Sequence, residues 1–336
     1  MTEHRIACHE EIDLEIREGL RVFFEPLGDG GLGAIADLGA RRARYAALVD
    51  DVIARAVPNP AVRSEDRSIP REDPGEGEIR VRIYEPTERS DPLPALVLMH
   101  GGGLIMGSLG VSELSSRAIV DAVGCVIVSV DYRLAPEHPY PAGLDDCYRA
   151  LTWTAEEADK LGIDRDRIGL YGGSAGGCLA IGTALLARDR GGPPIVFLMT
   201  PYPMLDDRNE TPSSHAILDF GVWDRAANLE AWRCVLGDAA GGEDVSPYAA
   251  PARASDLAGL PPTYIDVGDL DLFRDEDVAF ALGLMEVGVP TELKVYPGVV
   301  HGGEAFAPRS RVSARILADR WEALRRALHP AVDDAP

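Results

Sequence analysis

Tyr171-Gly172-Gly173-Ser174-Ala175-Gly176-Gly177 is the stretch that decides the reading of this chain. An apolar, strand-like segment (167–171) leads into it and a small-residue helix (178–188) leads out. On such a turn a serine with glycine at both second neighbours is pushed out above the sheet edge. The turn is too tight for a Cβ at Gly172 or Gly176, and glycine alone meets that condition. The following helix aims its free N–H groups at the same spot, so negative charge developing beside Ser174 is stabilised. Ser174 therefore reads as a nucleophile.

The surrounding chain supplies a frame for it. Apolar runs at 95–99, 125–130, 168–171, 195–199, 263–267 and 291–296 alternate with helical stretches. Continuous apolar strands alternating with helices imply a mostly parallel sheet covered on both faces. Upstream, two strands (62–69 and 78–84) are joined by a polar turn containing Pro74-Gly75. Residues 10–56 read as helical, from Ile12, Ile16, Leu20, Val22 and Phe23 and then Ala47, Leu48, Val52 and Ile53, with a glycine-rich break at 28–33. The segment 201–237 interrupts the alternation with Pro, Trp and mixed polarity. It would overhang the sheet as a lid.

A hydrolytic serine needs a base, a group that orients the base, and donors for an oxyanion. His100-Gly101-Gly102-Gly103 directly follows the run 95–99. Three glycines in a row let backbone N–H groups face a substrate carbonyl without obstruction, and the N–H of Ala175 would complete the set. The base should follow the last strand, which is where His301 stands. His4, His9 and His329 lie near the ends, His100 and His138 sit in motifs of their own, and His215 falls in the lid segment. The orienting carboxylate should follow the run 263–267. Asp266 lies inside that strand and Asp275 opens the next helix, leaving Asp269 and Asp271, which spacing does not separate.

These motifs together resemble the hormone-sensitive-lipase-like (family IV) branch of microbial carboxylesterases. The matching segments are 100–103, the run Asp131-Tyr132-Arg133-Leu134-Ala135-Pro136-Glu137-His138-Pro139-Tyr140-Pro141-Ala142, 172–177, Asp271-Leu272-Phe273-Arg274-Asp275 and His301-Gly302. They occur in the family's order and cover roughly 94–303. The segments 205–208 and 245–264 further resemble the subgroup that includes bacterial heroin esterase, which hydrolyses acetyl esters. The resemblance implies an α/β-hydrolase fold, an acyl-enzyme mechanism on a small-molecule ester of short or medium chain length, and no cofactor or metal. It places the acidic member of the triad at Asp271, beside Ser174 and His301, and the oxyanion hole at Gly102, Gly103 and Ala175. It also implies a helical cap built from residues 1–57 and 201–237 on a catalytic domain 58–336, and it allows a homodimer. Leu104, Phe220 and Trp223 are candidates for the pocket wall, with Trp232 nearby. Gly173, Leu104 and Leu272 depart from the usual residues at their positions, and none of the three removes a catalytic group. An amide, lactone or specialised natural product would use the same triad. A receptor built on this fold would lack the histidine that His301 supplies.

Composition narrows the partners. Lys+Arg number 33 and Asp+Glu 55, a net charge of −22. That balance argues against nucleic acid and against anionic membrane surfaces. The five cysteines, Cys8, Cys125, Cys147, Cys178 and Cys234, are scattered and show no metal-ligand spacing. Residues 1–20 carry charge throughout and lack the apolar core of a signal peptide, so a cytoplasmic location is expected.

Overall fold

The computed structural model describes residues 9–28, 30–89, 92–218 and 220–330. His4 and Cys8 lie outside the described residues, as does the start of the 1–57 segment. Helices α1 (Leu14–Phe24) and α2 (Leu38–Arg55) precede the hairpin β1 (Val62–Pro70) and β2 (Glu78–Pro86). Then follow β3 (Leu93–Met99), α3 (Glu113–Val123), β4 (Val126–Val130), α4 (Ala142–Glu156), α5 (Ala158–Leu161), β5 (Ile163–Gly172) and α6 (Ala175–Arg190). The chain continues through β6 (Leu198–Pro201), α7 (Pro212–Ala216), α8 (Arg225–Leu236), β7 (Thr263–Leu270), α9 (Arg274–Glu286), β8 (Thr291–Val300), α10 (Gly303–Phe306) and α11 (Arg311–Leu328).

The strands form one sheet in the order β1-β2-β4-β3-β5-β6-β7-β8. β2 runs antiparallel to both β1 and β4, and the pairs from β4 to β8 are all parallel. Side chains alternate across a strand, and β3 divides accordingly. Ala95, Val97 and Met99 join one apolar cluster with residues of α4, α6 and α9, while Leu96 and Leu98 join another with α3 and α11. Both faces are covered, which is why the strand sequences are apolar without a break.

The N-terminal arm is folded onto this core. Asp13 caps α1 by accepting from the N–H groups of Glu15 and Ile16. Asp13 N–H donates to Gly298 O (2.9 Å), Ile16 packs against Gly303, and Phe23 and Phe24 meet the Phe306 ring. So α1 rests on the β8–α10 connection, the segment that begins with His301. Three members of the expected apolar stripes face water instead: Val22 is 66% exposed, and Ala47 and Val52 are exposed as well. The buried row of α1 is Ile16, Leu20 and Phe24, at intervals of four, so Val22 falls on the far side of the helix. In α2 the inward row is Arg41, Tyr45 and Leu48. A charged residue opens that row, and hydrophobic periodicity does not register it. Arg41 is buried because Nη1 donates to Glu230 and Nε to Ile35 O.

Ile16 is fully buried against the rim of the sheet. Ile16→Ala is expected to lower the unfolding free energy by about 2–5 kcal/mol, as for other large-to-small changes in a core. Urea denaturation measures this, and an unchanged midpoint would mean that α1 contributes nothing to the folded core.

Candidate active site

The turn between β5 and α6 shows why its glycines are required. A Cβ on Gly172 would lie 2.0 Å from Gly176 O, and one on Gly176 would lie 2.1 Å from Met99 O. Backbone thus crosses backbone where the strand ends. Ser174 itself adopts φ +58° and ψ −125°, a conformation costly for a residue with a side chain. It is held there from both sides: Ser174 N–H donates to Pro201 O (3.0 Å), and Met204 N–H donates to Ser174 O (3.1 Å). Helix α6 begins at Ala175 rather than at 178, so its N-terminus stands directly beside the serine.

β3 delivers the second loop. Ile105 and Met106 both donate their N–H groups to Gly102 O, which closes a tight turn. Gly102 and Gly103 have φ values of +125° and +64°. Among the described residues, the N–H groups of Gly102, Gly103 and Ala175 donate to no protein acceptor. A Cβ at Gly101 would lie 3.5 Å from Ser174 Cβ, so this loop abuts the serine turn. His100 serves the loop rather than any proton transfer. Its Nδ1 lies 2.8 Å from Gly101 O, its ring stacks on Tyr132, and burial pushes its pKa down.

His301 and Asp271 complete the geometry. His301 Nε2 lies 2.9 Å from Ser174 Oγ, and His301 Nδ1 lies 2.8 Å from Asp271 Oδ2. The other oxygen of Asp271 accepts Phe273 N–H at 3.0 Å. The three residues are 8% (Ser174), 7% (His301) and 1% (Asp271) exposed, so bulk water hardly reaches them. Asp269 lies apart: it is still within β7, and its carboxylate accepts Gly298 N–H at 2.7 Å. Glu276 and Asp277 are buried on α9, and burial pushes both well above the usual carboxylate range, reinforced by the Asp271 charge among others.

Several groups around His301 have no counterpart in the sequence reading. The rings of Tyr202 and Phe273 meet the imidazole edge-on, with centroids 4.9 and 5.1 Å away. Tyr202 O–H donates to Glu304 (2.7 Å), Glu304 accepts from Arg320 (2.6 Å), and Arg320 pairs through two nitrogens with Asp266. The one signal in the sequence was Asp266 itself, a carboxylate inside an apolar strand that must find a buried partner.

The pocket candidates divide. Trp223 lies against the glycine loop, so close that a Cβ on Gly103 would be 2.2 Å from its ring. Its Nε1–H donates to Asn228 (3.1 Å), and Asn228 in turn donates to Asn209 (2.6 Å). Phe220 is buried and stacks on His9. Leu104 lines a small cavity of about 30 Å³, shared with Tyr132, Cys178, Leu179 and Tyr248. Trp232 is fully buried in the core.

Residues 96–304 match a family model described as the alpha/beta hydrolase fold. The chain belongs to that family. It is 40% identical to carboxylesterase NlhH of Mycobacterium tuberculosis over 276 residues, which is 80% of this chain and 84% of that one. An arylesterase of Saccharolobus solfataricus is 35% identical over 80% of this chain and 85% of its own length. Among solved structures, bacterial heroin esterase superposes with a TM-score of 0.87 at 38% identity, covering 95% of this chain and 98% of that one. The alpha/beta hydrolase described here is thus a serine ester hydrolase of the hormone-sensitive-lipase-like branch. No helix among its described residues is long and apolar enough to cross a membrane.

Proposed function

We propose that this hydrolase cleaves carboxylic esters of short to medium chain length through an acyl-enzyme on Ser174. The observation that carries this reading is the unbroken hydrogen-bonded line from Asp271 through His301 to Ser174, beside three uncommitted N–H groups. Ser174 Oγ attacks the carbonyl carbon as His301 Nε2 takes its proton, and the carbonyl electrons move onto oxygen. The N–H groups of Gly102, Gly103 and Ala175 receive that oxyanion, each contributing on the order of 3 kcal/mol to the transition state. Collapse breaks the bond to the alcohol, which leaves with the proton from His301. Water then gives a proton to His301 and attacks the acyl carbon, and Ser174 departs with that proton. Asp271 fixes the imidazole tautomer and stabilises the imidazolium.

The same reading assigns residues 1–57 and 201–237 to a cap over the site, with Trp223 and Phe220 in its wall and Leu104 beside the glycine loop. The closeness of Trp223 to Gly103 favours a short acyl group. The structural relative named for heroin supports a small-molecule ester. The test is a series of p-nitrophenyl esters from acetate to palmitate, followed from the first turnover. The expected result is a burst of p-nitrophenol equal to the enzyme, with kcat/KM highest among the short esters. An amide or lactone cleaved faster than every ester would overturn the substrate assignment.

A further inference from the structure

Arg42 on α2 reaches across from the N-terminal arm to the glycine loop. Its Nε donates to Ile105 O at 2.6 Å, and its Nη2 donates to Ala135 O, also at 2.6 Å. Nη1 and Nη2 each donate to one oxygen of Glu137 at 2.8 Å, a bidentate pair. One planar guanidinium therefore ties three residues from two segments. The first segment is the turn 102–106, which carries the free N–H groups of Gly102 and Gly103. The second is the run 134–137, already joined to that turn by Ala135 N–H donating to Leu104 O. Ile105 O finds no other hydrogen-bond partner among the described residues. The pairing is strong enough to hold the Glu137 carboxyl down at about 2, chiefly through the hydrogen bonds from Arg42.

We propose that Arg42 is a positioning residue for the oxyanion site, fixing the Gly102–Gly103 turn from the N-terminal arm. The proposal rests on the acyl-enzyme reading above. Arg42 touches neither Ser174 nor His301, so its effect passes entirely through the backbone of the turn. Four hydrogen bonds donated by one rigid fork restrict where Ile105 O can point, and Ile105 N–H and Met106 N–H both close on Gly102 O. Loosening that turn moves the donors away from the place where negative charge develops. Misplacement of about 1 Å at such a site costs up to roughly a hundredfold in rate. The glycines at this turn add little stiffness of their own, so restraint from outside the loop supplements the two hydrogen bonds that close it.

The test is Arg42→Ala, assayed with p-nitrophenyl acetate and with an aryl trifluoromethyl ketone. The ketone accepts Ser174 Oγ at its carbonyl carbon, its oxygen becomes an alkoxide in the oxyanion site, and the serine proton goes to His301. Expected is a fall in kcat of about 30-fold with KM nearly unchanged, and an equal loss of affinity for the trifluoromethyl ketone. Binding of the matching methyl ketone, which makes no oxyanion, should not change. Millimolar guanidinium should restore part of the rate, whereas Arg44→Ala, on the same helix and hydrogen-bonded among the described residues to Pro26 O alone, should match wild type. If Arg42→Ala does not fold, Glu137→Gln gives the same pattern at smaller amplitude, because it keeps an acceptor and loses the charge. An unchanged kcat in either folded variant, or equal losses for the two ketones, would overturn the proposal. Wild-type enzyme that ignores the trifluoromethyl ketone and shows no burst would instead overturn the acyl-enzyme reading beneath it.

Discussion

Ser174→Ala is expected to lower kcat for p-nitrophenyl acetate by on the order of 10⁵–10⁶-fold while leaving the melting temperature where it was. The two halves of this expectation have separate physical grounds. On the acyl-enzyme reading activity falls because Oγ is the atom that forms the acyl bond, and it faces His301 Nε2 at 2.9 Å. Stability holds because the turn is built by backbone. Pro201 O, Met204 N–H and the tight backbone passes at Gly172, Gly176 and Gly102 do not involve the serine hydroxyl. Alanine keeps a Cβ at φ +58°, so the local strain is about the same before and after. The donors at Gly102, Gly103 and Ala175 survive in the variant, and residual catalysis of roughly 10³–10⁴ over water is expected from them and from substrate binding. Kinetics and a thermal melt on the same preparation decide the matter. A folded variant within tenfold of wild type would remove Ser174 from the mechanism.

What the sequence made legible follows from how little freedom those positions have. Gly172 and Gly176 are readable because backbone passes within about two ångströms of where their Cβ atoms would be, so no other residue fits. His301 is readable from topology, since it is the residue that follows the last strand. The carboxylate was harder, for a reason visible in the sheet. β7 and β8 pair in regular register up to Gly268 and Tyr296, then slip, and Leu270 pairs with Val300. An irregularity of that kind re-aims side chains, so spacing does not separate Asp269 from Asp271. Beyond Asp266, the network with Glu304, Tyr202 and Arg320 was unreadable because its members come from separate parts of the chain. Apolar periodicity also missed Arg41, whose charge concealed an inward-facing position satisfied by Glu230 and Ile35 O.

The slip in β7 leads to a prediction about two carboxylates that differ by only two positions. Asp271→Asn should lower kcat by about 10⁴, the scale seen when the acidic member of a serine triad becomes an amide. Asparagine can still accept Phe273 N–H through its carbonyl oxygen. Its NH₂ group then faces His301 Nδ1, which becomes the acceptor, and the ring proton moves to Nε2. An imidazole with its proton on Nε2 cannot take the proton of Ser174, so the chemistry stops with the geometry intact. Folding should not suffer, because asparagine has nearly the same size and shape as the nearly fully buried aspartate it replaces and keeps the oxygen that accepts Phe273 N–H. Asp269→Asn should behave differently. Its carboxylate oxygen accepts from Gly298 N–H, and an amide oxygen accepts that bond equally well. A loss of less than about tenfold is expected there, from a slight shift of the β8 end that carries His301. Measuring kcat for both variants alongside their melting temperatures separates the two positions. If Asp269→Asn proves the more damaging in a folded protein, the orienting carboxylate is Asp269, and the 2.8 Å contact between Asp271 and His301 is not the one catalysis uses.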